Sequence, residues 1–378
     1  MHEDSPTQAE IRALVGEVAT AAIAPHAARW AAEHHVPLDV LAELGRLGVL
    51  GTIVPEEHGG AGLGASELAV VVEELARHDA GIAVAVAVHA GLLPVALGRW
   101  GTPEQQARHL PGVASGETIA AYCLTEPDCG SDVGAVRTAL RPAPGGWTLH
   151  GTKTWITNGG AATVLVVFAR DEAGGVEAVV ARAGDGLERG PEIPKLGLHT
   201  SSTRELVFDG LAVPADARLG SAGDGLRVAL STLDAGRISI AAQACGIACA
   251  ALDVAVAYAR ERPAFGGPIA RFQGVQFPLA DVAAELDAAR LVTYRAAALR
   301  DAGRPHGVEG AKAKLLASAV AVKAADAAVQ TLGGYGYAEE YPAARLYRDA
   351  RVTQLYEGTS EIQRLVIARA LLGPAARG

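Results

Sequence analysis

One carboxylate in the C-terminal part of the chain could act as a buried base. Glu357 follows the apolar pair Leu355-Tyr356 and precedes Gly358, so the pattern predicts that it leaves a buried segment at a turn. Burial away from cations raises the pKa of a carboxylate and makes it a stronger base. The same position suits an acid at the start of a helix, stabilised by the following turn, which explains Glu361 as easily. Position alone leaves both interpretations open.

Two earlier segments combine groups that could line a planar ligand. One is Tyr122-Cys-Leu-Thr-Glu-Pro-Asp-Cys-Gly-Ser-Asp132, which runs from a strand-like start into a turn dense in hydroxyl groups, carboxylates and glycine. The other is Gly151-Thr-Lys-Thr-Trp-Ile-Thr-Asn-Gly-Gly160, which places Trp155 between threonines beside a turn. The first segment taken alone is a loop, and Trp155 fits an ordinary core aromatic as well as a surface for a flat cofactor.

Two further segments could hold phosphates or rings. In Arg262-Pro-Ala-Phe-Gly-Gly-Pro-Ile-Ala-Arg-Phe-Gln273 a helix is predicted to end at Pro263, with an arginine, an aromatic ring and an amide on a turn. Arg262 could bind a pyrophosphate with two hydrogen bonds while Phe265 covers a ring. A capped helix with surface cations explains the same residues. The second segment is the glycine- and tyrosine-rich Gln330-Thr-Leu-Gly-Gly-Tyr-Gly-Tyr337.

A fifth segment matches a nucleotide-binding fingerprint but lacks its context. Gly60-Ala-Gly-Leu-Gly-Ala65 fits the pattern G-x-G-x-x-A. The fingerprint needs a hydrophobic strand before it, whereas Pro55-Glu-Glu-His58 precedes it and helical patterns surround it. We therefore predict a glycine-rich loop between helices.

Composition limits the classes of partner. Of the 378 residues, 50% are hydrophobic and 20% charged, which is typical of a soluble globular protein with two or three packed units. The formal net charge of -9 predicts neither nucleic acid nor an anionic membrane as a partner. Four cysteines are too few for a disulfide framework, and their spacing predicts no metal site. They indicate a reducing compartment.

Two features of the sequence, its first residues and one apolar stretch, bear on where in the cell the protein is located. The acidic start Met1-His-Glu-Asp lacks the basic character of a secretion signal, so we expect a cytoplasmic protein. The apolar stretch 80–97 approaches membrane-spanning length but contains Gly91 and Pro94. It is better explained as a buried helix followed by a turn.

The elements that must position these segments change in type twice along the chain. Apolar residues recur at helical spacing up to about residue 110, as in Ile11, Leu14, Val15 and Val18. Short apolar runs separated by glycine and asparagine turns then predict strands up to about residue 219, and helical spacing returns from Gly225. We predict an α+β fold, mainly α, with an N-terminal helical domain (1–117), a middle β domain (118–222) and a C-terminal helical bundle (223–378).

In this order and spacing the segments resemble the acyl-CoA dehydrogenase family over essentially the whole chain. The matching motifs are Pro55-Glu-Glu-His-Gly-Gly-Ala-Gly, Gly101-Thr-Pro-Glu-Gln-Gln, Leu124-Thr-Glu-Pro, Gly130-Ser-Asp, Lys195-Leu-Gly-Leu, Thr203-Arg-Glu-Leu-Val-Phe, Leu233-Asp-Ala-Gly-Arg237 and Tyr356-Glu-Gly-Thr-Ser-Glu-Ile-Gln. The resemblance implies the three-domain architecture already predicted, enclosing FAD and usually assembled as a homotetramer.

The resemblance also implies which residues bind the two ligands. Trp155 would lie against the isoalloxazine with Thr157 near N5, and Arg262, Phe265 and Gln273 would contact the adenosine diphosphate half across a subunit interface. The implied FAD contacts are Tyr122, Leu124, Thr125, Gly130, Ser131, Trp155, Ile156, Thr157, Arg262, Phe265, Gln273, Gln330, Gly333, Gly334, Thr359, Ser360 and Glu361. The implied acyl-CoA contacts are Ser131, Asp234, Arg237 and Gly358.

The implied reaction is the α,β-desaturation of an acyl-CoA thioester. Glu357 would remove the α-proton while hydride passes from the β-carbon to FAD N5. In the family, the backbone N–H of the base and a flavin ribityl hydroxyl polarise the thioester carbonyl. Some relatives place the base just before the arginine of the Leu-Asp-x-x-Arg segment, where this chain has Gly236. Glycine cannot abstract a proton, so the role falls to Glu357.

The resemblance also implies an electron acceptor and a metabolic role, which no single motif specifies. The resemblance implies an electron-transfer flavoprotein as electron acceptor, a role in fatty acid or amino acid catabolism, and only weakly a preference for short acyl chains. An oxidase, a dehydrogenase of carrier-protein-bound acyl groups and a non-catalytic flavin-binding scaffold are the alternatives on this fold. His199-Thr200 departs from the family, where an arginine and a small residue follow Lys-x-Gly-x. We assign His199 no role, and a solvent-exposed turn explains it equally well.

Overall fold

Helices make up the N-terminal part of the protein. The computed structural model describes residues 3–376. In this part the helices are α1 (Pro6–Val18), α2 (Ala27–Glu33), α3 (Leu38–Arg46), α4 (Ala65–His78), α5 (Ala80–Gly91), α6 (Leu93–Trp100) and α7 (Pro103–Ser115). Local sequence explains several starts, since Ser5 and Thr102 form capping boxes with glutamines and a proline follows each cap. The segment 60–64 is a loop that leads into α4 at Ala65, so the predicted glycine-rich loop between helices is confirmed.

A seven-stranded sheet follows. Its strands are β1 (Ala120–Cys123), β2 (Ala139–Ala143), β3 (Gly146–Thr157), β4 (Val164–Arg170), β5 (Val176–Arg182), β6 (Leu187–Glu192) and β7 (Thr203–Pro214). They pair in the order β1-β4-β2-β3-β7-β6, with β5 beside β4. The β1–β4 pair is parallel, and β3 pairs with β7 antiparallel along most of its length. β4 and β5 are almost entirely buried, which matches their continuous apolar runs.

The C-terminal part is a helical bundle. Its elements are α8 (Gly225–Glu261), a short hairpin of β8 (Pro263–Ala264) and β9 (Gly267–Pro268), α9 (Gln273–Asp301), α10 (Gly307–Leu332), α11 (Pro342–Val352) and α12 (Ser360–Leu372). α8 packs closely on α4. At Gly246 of α8 the two helices are so close that a Cβ atom would lie 2.2 Å from the carbonyl oxygen of Glu73 on α4. The predicted order of helices, sheet and helices is confirmed, whereas the domain limits at residues 117 and 222 remain predictions.

Three stretches are long and apolar enough to cross a membrane when judged only by length and composition. They are Ala80–Trp100, Gly225–Glu261 and Gly307–Tyr337. In the first, 94% of the most apolar window is buried inside the protein, and the stretch divides at Leu92 into α5 and α6. The predicted buried helix followed by a turn is therefore present.

The loop 193–202 joins all three parts of the protein. The backbone N–H of Leu198 donates to Asp349 on α11 at 2.6 Å, and the Thr200 hydroxyl donates to Asp79 at the start of α5 at 2.5 Å. The His199 ring nitrogens lie 3.1 Å and 2.9 Å from the carbonyl oxygens of Ala31 and Lys195. His199 is thus half-buried and bonded at a domain junction, so the interpretation as a solvent-exposed turn is wrong.

Candidate active site

Glu357 lies in the turn between α11 and α12. Its φ is 53° and that of Gly358 is 87°, so two consecutive residues adopt the left-handed region. A non-glycine residue in that region is uncommon and is found often at functional sites. The turn closes where the Ser360 N–H donates to the Gln354 carbonyl at 3.0 Å. The strained backbone turns the Glu357 side chain away from solvent.

The Glu357 carboxyl group is buried, and burial raises its pKa to about 7. Lys314 and Arg237 oppose this shift, but the effect of burial on the pKa outweighs theirs. Oε2 has no hydrogen-bond partner among the residues that the structure describes. A buried and unpartnered carboxylate oxygen with a pKa near neutrality is a good acceptor for a substrate proton.

The space facing Oε2 exists because residue 236 has no side chain. A Cβ atom at Gly236 would lie 2.8 Å from Glu357 Oε2 and 2.9 Å from Leu92 Cδ2. A carboxylate side chain at that position of α8 and the observed Glu357 carboxylate would therefore occupy the same volume. A carboxylate at this point could therefore come from α8 or from the turn after α11, but not from both. In this chain it comes from the turn.

The backbone of the same turn presents a free donor. Within residues 3–376, the Glu357 N–H donates no hydrogen bond to another group. Two buried donors, Lys314 Nζ and Gln363 Nε2, instead bond the Gly358 carbonyl at 2.6 Å and 2.8 Å. The turn thus combines a carboxylate acceptor and an unused N–H donor on one residue.

A bulge in β3 presents Trp155 to solvent. The pairing of β3 with β7 shifts register between Lys153 and Ile156, and Trp155 has a φ of 60°. The Thr154 N–H bonds the Thr125 carbonyl at 3.0 Å, which ties the bulge to the loop after β1. The Trp155 side chain is 58% exposed, so the interpretation as a core aromatic is wrong. An indole held outward on a strained backbone fits a surface for a flat ring.

A buried ion pair fixes this bulge to the loop after β1. Lys153 is fully buried, and its Nζ donates to Glu126 Oε1 at 2.8 Å and to the Leu124 carbonyl at 2.9 Å. The structure thus brings Leu124, Thr125 and Trp155 together. Ile156 is buried in the sheet core, and the Tyr122 hydroxyl donates to the Ala229 carbonyl at 3.2 Å. Gly130 and Ser131 are exposed on the same loop, and Thr157 ends β3.

The predicted phosphate-binding residues form a second group. Arg262, Gly333 and Gly334 line one cavity of about 600 Å³ together with Tyr335. The Arg262 guanidinium lies 5.4 Å from the centroid of the Tyr335 ring and forms no ion pair within the described chain. A free arginine and backbone glycines fit a pyrophosphate, and the exposed Trp155 fits a flavin ring, so the residues present suit both halves of FAD.

Other predicted FAD residues do not line this cavity. Phe265 is 90% exposed, with its ring centroid 6.0 Å from that of Phe272, and Gln273 begins α9. Gln330 lies in the last turn of α10, just before the cavity. Thr359 caps α12 by accepting a hydrogen bond from the Ile362 N–H, and Ser360 and Glu361 form the first turn of that helix. One subunit alone therefore does not bring the whole predicted set together.

Of the predicted acyl-CoA residues on α8, Asp234 lines a cavity and Arg237 is hydrogen-bonded to Asp234. Arg237 is buried and donates to Asp234 at 2.6 Å, and Asp234 lines a cavity of about 720 Å³ between α6, α8 and the α9–α10 loop. Arg300 and Arg304 also line it and form no ion pair with any described residue. Arg99 contributes a third guanidinium, while Asp301 is already engaged by the N–H groups of Ala65 and Ser66 at the start of α4.

Four cationic residues near the site were not predicted from the sequence: Arg99, Arg300, Arg304 and Lys314. Arg300, Arg304 and His306 do form a basic cluster in the sequence around a predicted helix end, which could have indicated a phosphate site. Lys314 carries no such signal, because it stands in a regular alanine-rich helix and its contact to Gly358 joins residues 44 positions apart.

Three family models match consecutive parts of the chain. The N-terminal, middle and C-terminal domains of acyl-CoA dehydrogenase match residues 5–117, 121–211 and 223–372. The "Short-chain specific acyl-CoA dehydrogenase, mitochondrial" of Bos taurus is 44% identical over 97% of this chain and 90% of its own length.

Solved structures agree with this result. Butyryl-CoA dehydrogenase from Megasphaera elsdenii superposes with a TM-score of 0.96 at 39% identity, covering 98% of this chain and 100% of that one. A chain in a structure described as the electron transferring flavoprotein of Acidaminococcus fermentans superposes with a TM-score of 0.97 at 39% identity, covering 99% and 100%. The structure "FAD complex of PigA" gives a TM-score of 0.93 at 29% identity over the full length of both chains. With all three family models matched and 44% identity over nearly the whole chain, the protein belongs to the acyl-CoA dehydrogenase family.

Proposed function

We propose that this enzyme desaturates short-chain acyl-CoA thioesters between the α- and β-carbons, with Glu357 as the base. The single observation that carries the proposal is the buried Glu357 carboxyl group with a pKa raised to about 7 and an unpartnered Oε2. FAD is the cofactor of the family, as the resemblance implied. When bound, it supplies the two-electron acceptor.

The chain's own residues handle the proton and the developing charge. Glu357 Oε2 would take the proton from the α-carbon, and the β-carbon would lose a hydrogen with its electron pair to bound FAD, so that a carbon–carbon double bond forms. Negative charge develops on the thioester oxygen during this step. The free Glu357 N–H is suited to stabilise it, and one such donor contributes about 3 kcal/mol in comparable oxyanion sites.

The pKa of Glu357 suits this task. A fully solvated carboxylate is too weak a base to remove an α-proton, whereas a buried one with a pKa of about 7 remains largely ionised just above neutral pH. Because Oε2 has no partner within residues 3–376, no hydrogen bond has to break before it accepts a proton. Gly236 contributes by leaving room, and Leu92 forms an apolar wall beside the carboxylate.

The cavity lined by arginines supports a CoA thioester as the substrate, rather than an acyl group bound to a carrier protein. It is lined by Asp234 and Ala235, which precede Gly236 on α8, so the cavity and the proposed base share this helix. Unpaired guanidinium groups of Arg300 and Arg304 in a protein of net charge -9 favour a mobile anion with several phosphates. We infer that the phosphates of free CoA bind there.

The names of the relatives support the proposed acceptor and the proposed length of the acyl chain. The likeness to the Acidaminococcus fermentans flavoprotein structure supports an electron-transfer flavoprotein as acceptor, and the short-chain and butyryl-CoA names support a short acyl chain. We further propose a homotetramer, in which the exposed Phe265 and Gln273 of one subunit would complete the FAD site of another. A cytoplasmic location and catabolic role are part of the same proposal.

Replacing the base tests the function directly. Glu357→Gln keeps the side-chain size but removes the proton acceptor, so we expect normal flavin content and at least a thousandfold slower flavin bleaching by butyryl-CoA under anaerobic conditions. Glu172→Gln, which changes an exposed acid in the turn between β4 and β5, is the matched control and should keep its rate. A Glu357→Gln enzyme that bleaches at the wild-type rate refutes the proposal. Rapid oxygen consumption by the reduced wild type would instead favour an oxidase.

A further inference from the structure

Lys314 is a buried lysine that the proposed chemistry does not yet use. It lies on α10 with no exposed surface, and its Nζ donates to the Gly358 carbonyl at 2.6 Å. Burying an ammonium group is costly unless it is paired or hydrogen-bonded, so a lysine in this position calls for a specific role. Lys312, two residues earlier on the same helix, is exposed and pairs with Glu309 at 3.2 Å.

The carbonyl that Lys314 binds belongs to the turn of the proposed base. Gln363 Nε2 donates to the same oxygen at 2.8 Å and to the Glu357 carbonyl at 3.3 Å. Donors from α10 and α12 therefore converge on one peptide, immediately after two residues with positive φ. Such a backbone persists only when its surroundings hold it, and these two donors hold it together with the Ser360 N–H that closes the turn.

Lys314 also acts on the charge of Glu357. The ionisable groups that face the Glu357 carboxylate are Lys314 from α10, Arg237 from α8, Tyr122 from β1 and the adjacent Tyr356, while Glu361 from α12 acts on Lys314. Lys314 has the largest effect among those that lower the pKa of Glu357. Burial lowers the pKa of Lys314 itself to about 8, so it is still mostly protonated at neutral pH.

We propose that Lys314 is a positioning residue for the base: it holds the Gly358 carbonyl so that the Glu357 carboxylate faces the space beside Gly236, and its positive charge favours the ionised form of that carboxylate. The inference rests on the proposed role of Glu357. Lys314 touches neither the reacting carbons nor the proton, and it acts through the turn and through its charge.

Two substitutions separate the hydrogen bond from the charge. Lys314→Gln keeps a neutral donor and removes the charge, whereas Lys314→Arg keeps the charge on a larger group, and Lys312→Gln is the matched control on the exposed face. The measurements are kcat and KM for butyryl-CoA between pH 5.5 and 9, flavin content, and the melting temperature of each holoenzyme.

For Lys314→Gln we expect the midpoint of the rising limb of kcat to move up by about one pH unit, because a nearby positive charge no longer favours the carboxylate. At pH 7 kcat should fall roughly fivefold to tenfold with little change in KM, and above pH 8.5 it should approach the wild-type value. Lys314→Arg should keep the wild-type midpoint with a lower kcat at every pH, since the larger head group displaces the turn. Lys312→Gln should match the wild type throughout.

A Lys314→Gln enzyme with full flavin content and the wild-type midpoint would overturn the inference. If the glutamine variant loses its flavin, Lys314→Arg decides: a midpoint unchanged from the wild type supports the proposal, and a shifted one overturns it. These results differ from a failure of the proposed function, which would appear as undiminished flavin reduction by the Glu357→Gln enzyme, whatever residue stands at position 314.

Discussion

The proposed base should reduce the stability of the protein whenever it is ionised. In the folded enzyme the pKa of Glu357 is raised from 4.5 to about 7 because the carboxyl group is buried. A group with a raised folded pKa favours the folded state below its unfolded pKa and loses that contribution as pH rises through the folded value. Stability relative to an unionisable side chain should therefore fall between about pH 4.5 and pH 7.

The size of this effect follows from the shift. A difference of about 2.5 pKa units corresponds to roughly 3 kcal/mol once Glu357 is fully ionised, against roughly 1 kcal/mol at pH 5. We therefore expect Glu357→Gln to be more stable than the wild type by roughly 3 kcal/mol at pH 8. For a chain of 378 residues, an unfolding entropy of about 2.1 cal/mol/K per residue converts this into a rise of about 4 °C in Tm.

The assay is differential scanning calorimetry of both holoenzymes at pH 5 and pH 8, at one scan rate and with flavin content measured before each scan. The diagnostic quantity is the change in the Tm difference between the two pH values, since loss of ordinary contacts would act at both. Glu172→Gln should show no such change, because Glu172 is exposed in the turn between β4 and β5. A Tm difference between Glu357→Gln and the wild type that is equal at pH 5 and pH 8 would refute the reasoning about Glu357.

Four further predictions concern the proposed base, the arginine-lined cavity and the ion pair beneath Trp155. The kcat of the wild type should rise with pH through a midpoint near 7, because only ionised Glu357 can accept the α-proton; a pH–rate profile measures this. Gly236→Ala should lower kcat more than tenfold, because the new Cβ would lie 2.8 Å from Oε2, and steady-state kinetics would show it. Arg300→Ala should raise KM for butyryl-CoA about tenfold and leave kcat nearly unchanged, since it removes a phosphate contact remote from the chemistry. Lys153→Met should lower the free energy of unfolding by roughly 3–5 kcal/mol in urea denaturation, because it leaves Glu126 buried and unpaired.

Each of these predictions has a control or a contrary outcome. Arg295→Ala, on the exposed side of α9, should leave KM unchanged, and an equal rise in both variants would argue against a phosphate site at Arg300. Removing Arg108, whose ion pair with Asp216 is exposed, should have little effect on stability beside Lys153→Met. Unchanged kcat in Gly236→Ala, or a flat pH profile in the wild type, would contradict the assigned geometry of the base.

Several features of the site were readable from neighbouring residues. A carboxylate between an apolar pair and a glycine predicted the turn at Glu357, and Pro263 predicted the end of α8. Residue 236 is a glycine, and its lack of a side chain already argued against a base on α8. These inferences succeeded because turns, helix ends and missing side chains depend on residues a few positions apart.

Other features could not be read in that way. Trp155 fitted a core position and a ligand surface equally, and only the bulge in β3, set by pairing with β7, turns it outward. The two cations that act on Glu357, Lys314 and Arg237, could not be predicted because they come from two other helices. A solvent-exposed turn was one explanation of His199, and it failed because the ring contacts the Ala31 carbonyl on α2, far away in the sequence.

By itself, the amino-acid sequence determined the order of helices and strands, the family and the identity of the proposed base, since periodicity, turn residues and motifs are local and collinear with the chain. Tertiary structure alone decided how strong that base is, which lysine holds it and where unpaired arginines gather. Burial and charge act through space between residues distant in sequence, so they arise only when α8, α10 and the turn before α12 pack together.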